Sequence, residues 1–108
     1  MDKLKQYLKE RENVDLIEEE HGFASYIING EEIYIKDIFI FNDYRNQNKA
    51  SDLADKIASI GKENGCKFMT GTVSPKANNS TTSLKVLLGY GFNLYSSHEN
   101  LIVFKKDI

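Results

Sequence analysis

The sequence predicts a single α/β (α+β) domain built on a mixed, mostly antiparallel sheet with helices on both faces. Three apolar runs separated by turn residues precede residue 42 and indicate three consecutive strands. Leu53, Ile57 and Ile60 then recur at helical spacing. A helix between two strands is what a right-handed parallel crossover requires, so the sheet is expected to be mixed. The predicted order of elements is α-β-β-β-α-β-α-β-β.

Length and composition describe an ordinary globular domain. The chain has 108 residues, 41% of them hydrophobic and 28% charged, which suffices for one core without metal or disulfide support. Its net charge of −2 favours neither nucleic acid nor an anionic membrane as a partner. A single cysteine excludes an internal disulfide, and no apolar run is long enough to span a membrane. Because the N-terminus is too charged for a secretory signal, we expect a cytoplasmic location.

The first part of the chain is expected to form one helix and three strands. Leucines four residues apart predict a helix over residues 2–11, and strands follow over residues 14–20 and 23–28. Asn29-Gly30 is the strongest hairpin signal in the chain, because a type I′ turn needs positive φ at both positions. This hairpin leads into a third strand over residues 31–41.

The third strand is apolar on both sides and is therefore predicted to be central in the sheet. Strict alternation divides its residues between two faces, with Ile33, Ile35, Asp37, Phe39 and Phe41 on one and Tyr34, Lys36, Ile38 and Ile40 on the other. Asp37 is then the one acidic residue on an otherwise apolar face.

The second part of the chain is expected to form two helices and three strands. A helix over residues 49–64 ends at Gly65, which suits a left-handed C-cap, and a strand follows over residues 66–73. Polar N-cap residues start another helix near Asn79 or Ser80, and a hairpin over residues 92–106 closes the domain. The predicted core comprises Leu16, Ile27, Ile35, Ile38, Ile40, Leu53, Ile57, Ile60, Phe68, Val73, Leu84, Leu88, Phe92, Leu101 and Val103.

The turn between the third strand and the second helix suits an anion, since free backbone N–H groups and the positive end of the helix dipole meet there. It contains the run Arg45-Asn46-Gln47-Asn48-Lys49-Ala50. This run resembles the R/Q-x-x-G-x-G/A acetyl-CoA loop of the GNAT N-acetyltransferase superfamily. The segment of residues 84–92, ending in Gly-Phe, is similar to the last helix of that family and its closing residues. The chain thus resembles a small, partly degenerate GNAT domain with a reduced N-terminal region.

The resemblance implies acetyl-CoA as co-substrate and a set of residues that bind it. Those expected to contact the pantetheine arm are Ile38, Phe39 and Ile40, and those expected to contact the pyrophosphate are Arg45, Gln47, Asn48, Lys49, Ala50 and Ser51. Asn79 stands where the family often has an asparagine that contacts the cofactor. The alternatives are a plain polar turn for the loop and helix capping for Asn79.

Catalytic candidates are few. Asp37 is a candidate general base for the attacking amine, and a carboxylate that merely pairs with a lysine is the alternative. Leu87 stands where many family members have a tyrosine as general acid, so Tyr90, with Tyr34 and Tyr95, remains a weak candidate for that role. For each tyrosine the alternative is a half-buried aromatic with a hydrated hydroxyl.

Two hypotheses of function follow from the resemblance. The first is an acetyl-CoA-dependent N-acetyltransferase that moves an acetyl group to a primary amine, on a protein or a small molecule, by direct attack. The second is a catalytically inactive GNAT-fold binding protein that acts through a protein partner, which Asn48 in place of glycine and Leu87 in place of tyrosine favour. A homodimer could complete an acceptor site that the short N-terminal region leaves open.

Overall fold

The computed structural model describes residues 2–77 and 80–108 and has the predicted order of elements. The helices are α1 (Asp2–Glu12), α2 (Lys49–Glu63) and α3 (Ser80–Tyr90), and a short 3-10 turn spans Asn42–Tyr44. The strands are β1 (Asp15–Glu19), β2 (Gly22–Asn29), β3 (Glu32–Ile40), β4 (Phe68–Val73), β5 (Asn93–His98) and β6 (Leu101–Asp107). None of the helices within the described residues is long and apolar enough to cross a membrane.

The strands form one sheet in the order β1-β2-β3-β4-β6-β5. Neighbouring strands pair antiparallel except β3 and β4, which run parallel because α2 connects them. The mixed sheet that the sequence predicts is therefore confirmed, with β3 and β4 at its centre.

A β-bulge interrupts β3. Ser25 pairs with Asp37 while the next residue of β2, Tyr26, pairs with Ile35, so Lys36 is an extra residue. The extra residue reverses the alternation along the rest of the strand. Asp37 and Phe39 consequently lie on the opposite face from Ile35, and the strict alternation expected from the sequence is wrong beyond Lys36.

The main core lies between the sheet and two helices. Ile33, Leu53, Ile57 and Met69 are fully buried there, where α2 packs on β3 and β4. On the same face α3 packs close to β4, since a Cβ added to Gly71 would lie 3.0 Å from Leu87 Cδ2. The most buried parts of this face thus come from the centre of the sheet.

The opposite face of the sheet is covered by α1 over β1 and β2. Ion pairs from Lys5 to Glu18 (3.8 Å) and from Lys9 to Asp15 (2.9 Å) join this helix to β1. Val14 is 2% exposed beneath it. Helices therefore lie on both faces, as the sequence predicts.

Two residues assigned to the core from sequence are exposed instead. Leu88 is 51% exposed because Leu84 and Leu87 turn the buried face of α3 away from it. Leu101 is 45% exposed at the start of β6, where this strand pairs with the edge strand β5. Every residue of β5 is exposed, so this edge strand shields little of Leu101 from solvent.

Candidate functional site

The two parallel strands separate after a short paired stretch. β3 pairs with β4 only from Glu32 to Tyr34, opposite Phe68 to Thr70. Residues 35–40 of β3 continue along β2 without a partner on the β4 side. The backbone N–H and C=O groups along that edge can therefore bond an extended ligand in the manner of an added strand.

Two side-chain hydrogen bonds join β3 to β4 next to the point where the strands separate. Tyr34 Oη lies 2.9 Å from Thr72 Oγ1, and Thr70 Oγ1 donates to Glu32 Oε2 over 2.5 Å. From the sequence, Tyr34 is expected only as a candidate acid, and its pairing with Thr72 is not predicted. No local pattern could show it, since the two residues are 38 positions apart.

The loop after β3 carries two left-handed residues before α2 begins. Asn46 has φ 63°, and Asn48, the N-cap residue, has φ 59° and ψ 23°. Asparagine tolerates this conformation better than other residues with a side chain, which is why it can stand where the resembling loop has glycine.

The start of α2 is not capped by a side chain. Asn48 makes no side-chain cap hydrogen bond, and the first N–H group to bond within the helix is that of Asp52, to Asn48 O at 3.2 Å. The N–H groups of Lys49, Ala50 and Ser51 therefore lack acceptors within the helix. Together with the helix dipole they form a site suited to an anion.

Arg45 connects this loop to the unpaired edge of β3. Its Nε donates to Ile40 O over 3.0 Å, and its guanidinium lies over the Phe39 ring at 5.5 Å. Gln47 Nε2 donates to Asp43 O at 3.3 Å and so supports the loop from within.

The residues predicted for the pantetheine arm and the pyrophosphate are contiguous in space. Ile38 and Ile40 are half-buried on the α2 face, and Phe39 is 45% exposed on the other. Asn48 is exposed at the end of the loop, while Lys49, Ala50 and Ser51 are half-buried. Asn79 lies outside the described residues.

Asp37 is exposed on the α1 face of the unpaired stretch. Its Oδ2 accepts a hydrogen bond from Ser25 Oγ at 3.0 Å. It borders a cavity of about 170 Å³ beneath α1. The bulge at Lys36 is what turns this carboxylate away from the α2 core.

Tyr90, the last residue of α3, lies on the other face of the sheet, where its side chain reaches α2. Its Oη donates to Asp55 Oδ1 over 2.5 Å, and its ring lies 6.0 Å from that of Phe92. Burial, followed by this hydrogen bond, raises the pKa of Tyr90 well above its ordinary range. The structure therefore does not bring Tyr90 and Asp37 together.

Metal and thiol chemistry find no support in the described part of the chain. Residues 2–77 and 80–108 contain no group of three or more His, Cys, Asp or Glu side chains that could hold a metal ion. Cys66 is buried, and burial raises the pKa of its thiol, which disfavours the reactive thiolate.

The fold and the site define a mixed α/β domain in which two central parallel strands separate beside a loop and an uncapped helix. Sequence comparison identifies the family: the sequence model of the Acetyltransferase (GNAT) family matches residues 3–90. The chain belongs to the GNAT acetyltransferase family. No curated protein matches its sequence.

Solved structures share the fold at low identity. The PaiA N-acetyltransferase of Thermoplasma acidophilum, in complex with coenzyme A, has a TM-score of 0.78 and 12% identity over 97% of this chain and 69% of that one. A GNAT acetyltransferase of Elizabethkingia anophelis with acetyl-CoA bound has 0.74 and 19%, covering 99% and 82%. The Bacillus subtilis acetyltransferase in complex with CoA has 0.72 and 14%, covering 99% and 86%. These likenesses show the fold.

Proposed function

We propose that this protein is an N-acetyltransferase that uses acetyl-CoA to acetylate a primary amine by direct attack. The observation that carries the proposal is the unpaired edge of β3, which leads through the Arg45 loop to the uncapped start of α2. The family membership supports it, as do the acetyl-CoA and CoA complexes of the structures that share its fold.

The chain offers complementary groups along the length of such a cofactor. The N–H and C=O groups of Ile38 and the N–H group of Ile40 point away from β2 and suit the amides of a pantetheine arm, whereas Ile40 O accepts from Arg45. The N–H groups of Lys49, Ala50 and Ser51 suit a pyrophosphate, and the Arg45 guanidinium, held at Ile40 O, adds a cation at the end of the strand. Ala50 is half-buried, and its small side chain leaves room for a close approach of phosphate to the backbone.

The proposed chemistry asks three things of the protein. When bound, acetyl-CoA supplies the acetyl group as a thioester. Asp37 takes a proton from the ammonium of the acceptor, and a backbone N–H of the unpaired edge polarises the thioester carbonyl. The edge and the carboxylate hold the amine and the thioester together, which removes much of the entropic barrier.

Departure of the thiol needs little help from an acid. Thiols have an ordinary pKa of about 8.5, so a thiolate is a fairly good leaving group near neutral pH. Leu87 packs against Gly71 and has no ionisable proton, which is compatible with this chemistry.

A non-catalytic binding domain is the second candidate function. The observation that favours it is that Leu87 packs on β4 and Tyr90 donates to Asp55, so neither offers a proton donor near Asp37. This candidate predicts cofactor or partner binding without turnover.

Isothermal titration calorimetry of the full chain with acetyl-CoA, and separately with CoA, tests the proposal. We expect micromolar dissociation constants for both. CoA release in the presence of a primary amine then separates the two candidates, since only the enzyme releases CoA faster than the uncatalysed reaction. No binding at millimolar cofactor would overturn the proposed function.

A further inference from the structure

We propose that the cavity between α1 and the sheet binds the acceptor, and that the acceptor is a primary ammonium on an unbranched aliphatic chain. The inference rests on the proposed acetyltransferase function and names its substrate class. It is carried by the shape and lining of the cavity and by the one unpaired carboxylate at its edge.

The cavity is small and its walls are largely hydrocarbon. It has a volume of about 170 Å³. Since a void needs about 10–15 Å³ on this measure to hold one water-sized group, the cavity has room for a short alkyl chain. The apolar lining residues are Leu4, Leu8, Val14, Leu16 and Phe23, and the polar ones are Ser25, Lys36 and Asp37.

Charge at the cavity favours a single cation. Asp37 accepts a bond from Ser25 but forms no ion pair with any side chain in the described ranges. Lys36, the cation that lines the cavity, is paired with Glu12 at 3.2 Å. The carboxylate is therefore available to an ammonium.

The apolar surface continues from the cavity towards the cofactor loop. Phe23 lines the cavity and stacks on Phe39 at 5.6 Å, and Phe39 in turn contacts Phe41 at 5.9 Å. Phe41 is the last residue before the 3-10 turn that leads into the loop. An alkyl chain in the cavity thus places its ammonium at Asp37, on the stretch of β3 whose edge faces the proposed thioester.

The ammonium, Asp37 and the thioester account for the bonds and protons of the transfer step. The ammonium gives one proton to Asp37, and the neutral nitrogen attacks the acetyl carbonyl carbon. A C–N bond forms and the C–S bond breaks, and the nitrogen gives its second proton to the departing thiolate. The products are an N-alkylacetamide and free CoA, and Asp37 releases the first proton to solvent.

The same lining residues disfavour amines that carry a second charge or a hydroxyl group. A diamine or polyamine would place a second ammonium against the leucines, where desolvation is costly, since Asp37 is the one carboxylate among the described residues that line the cavity. A short amino alcohol such as ethanolammonium lacks the hydrocarbon tail that the leucine side chains of the cavity would bury. The cavity therefore favours an amine that has one positive charge and a hydrocarbon tail.

The first test measures amine binding without any cofactor. We would titrate ¹⁵N-labelled protein with n-butyl-, n-pentyl- and n-hexylammonium chloride, with ethanolammonium and putrescine for comparison. Shifts are expected at the amides of Leu8, Ser25 and Asp37, with affinity rising about fourfold per methylene. Asp37→Asn should remove the response. Equal affinity for ethanolammonium and hexylammonium, or shifts elsewhere only, would overturn the inference.

Two variants on α1 make a matched pair. Leu4 lines the cavity and is 43% exposed, whereas Tyr7 is 53% exposed on the same helix and does not line it. Leu4→Trp should fill the cavity and weaken hexylammonium binding about tenfold or more, the equivalent of losing two buried methylenes. Tyr7→Trp should change it by less than about twofold. An unchanged affinity in Leu4→Trp would refute the assignment.

Failure of this inference can be told apart from failure of the proposed function. If hexylammonium binds but acetyl-CoA does not, the acetyltransferase proposal falls and the amine site stands. If acetyl-CoA binds and the acetyl group passes equally well to ethanolamine, putrescine and hexylamine, the enzyme stands and the aliphatic acceptor falls.

Discussion

Gly22 at the start of β2 lies so close to Phe39 of β3 that a Cβ on Gly22 would overlap the Phe39 carbonyl oxygen. The two residues are neighbours in the ladder, where Gly22 pairs with Ile40 and Phe23 with Phe39. The absence of a side chain at Gly22 therefore sets the position of the segment proposed to carry the pantetheine arm.

Substitution of Gly22 should displace the end of β3. Gly22→Ala brings a methyl group against backbone that cannot rotate away, and we expect a loss of about 1–3 kcal/mol in the free energy of unfolding. Cofactor affinity should fall as well. Gly89→Ala is the control, because a Cβ there meets nothing within 4 Å and alanine suits a helix. Urea unfolding measures the stability of both variants, and equal stability would contradict the expectation.

Ala50→Glu should abolish cofactor binding while the domain stays folded. The new carboxylate would stand among the N–H groups at the start of α2 and repel a pyrophosphate by bulk and charge. Ser59→Glu adds the same charge at an exposed position of the same helix and should leave affinity unchanged within about twofold. Calorimetric titration with acetyl-CoA compares them. Retained affinity in Ala50→Glu would mean that the loop is only a turn.

Asp37→Asn should slow turnover by about 10²-fold or more without changing the affinity for acetyl-CoA. The amide keeps the size of the side chain and can still accept a bond from Ser25, but it cannot take a proton. Asp107→Asn removes an exposed carboxylate at the end of β6 and serves as the control. CoA release under saturating cofactor measures the rate. An unchanged rate in Asp37→Asn would remove this residue from the mechanism.

Tyr90 should make stability fall at alkaline pH. Burial and the bond to Asp55 raise its pKa in the folded protein above the ordinary value of 10.0. Its contribution is therefore complete below pH 10.0 and is lost as the pH rises further, because the unfolded chain then releases a proton that the folded chain retains. Urea unfolding across this pH window should show a steeper decline for the wild type than for Tyr90→Phe.

The same variant tests Tyr90 as an acid. Tyr90→Phe should cost about 0.5–1 kcal/mol at neutral pH through the lost bond to Asp55, while Tyr95→Phe, in a ring 65% exposed, should cost nothing measurable. We expect turnover to survive in both, since Tyr90 and Asp37 lie on opposite faces. A loss above about tenfold at unchanged cofactor affinity would make Tyr90 the proton donor.

Local patterns were enough to predict the order of elements and the loop. The Asn29-Gly30 hairpin, the apolar spacing in α2 and the polar run around Arg45 each act within a few residues, and each predicts the element found there. The hairpin forms where it is predicted, but the type I′ turn expected at Asn29-Gly30 is wrong. Asn29 pairs with Glu32, so the two turn residues are Gly30 and Glu31, and of Asn29 and Gly30 only Gly30 has a positive φ.

The arrangement of side chains at the site was not predictable in the same way. The bulge at Lys36 depends on how β3 registers against β2, and the bonds of Tyr34 to Thr72 and Ser25 to Asp37 join residues far apart in the chain. Strict alternation placed Asp37 on the α2 face because a period of two contains no information about an extra residue.

The bulge at Lys36 also determines how β3 would respond to changes in chain length. Deleting one residue there would restore regular pleating and reverse every side chain from Asp37 to Phe41. The carboxylate would then enter the hydrocarbon core beside α2, and Ile38 and Ile40 would lie on the α1 face. Most substitutions in this strand change one contact, whereas a deletion changes the whole surface on which the proposed reaction takes place. We therefore expect the residue count between Gly30 and Arg45 to be under tighter restraint than the identity of Lys36.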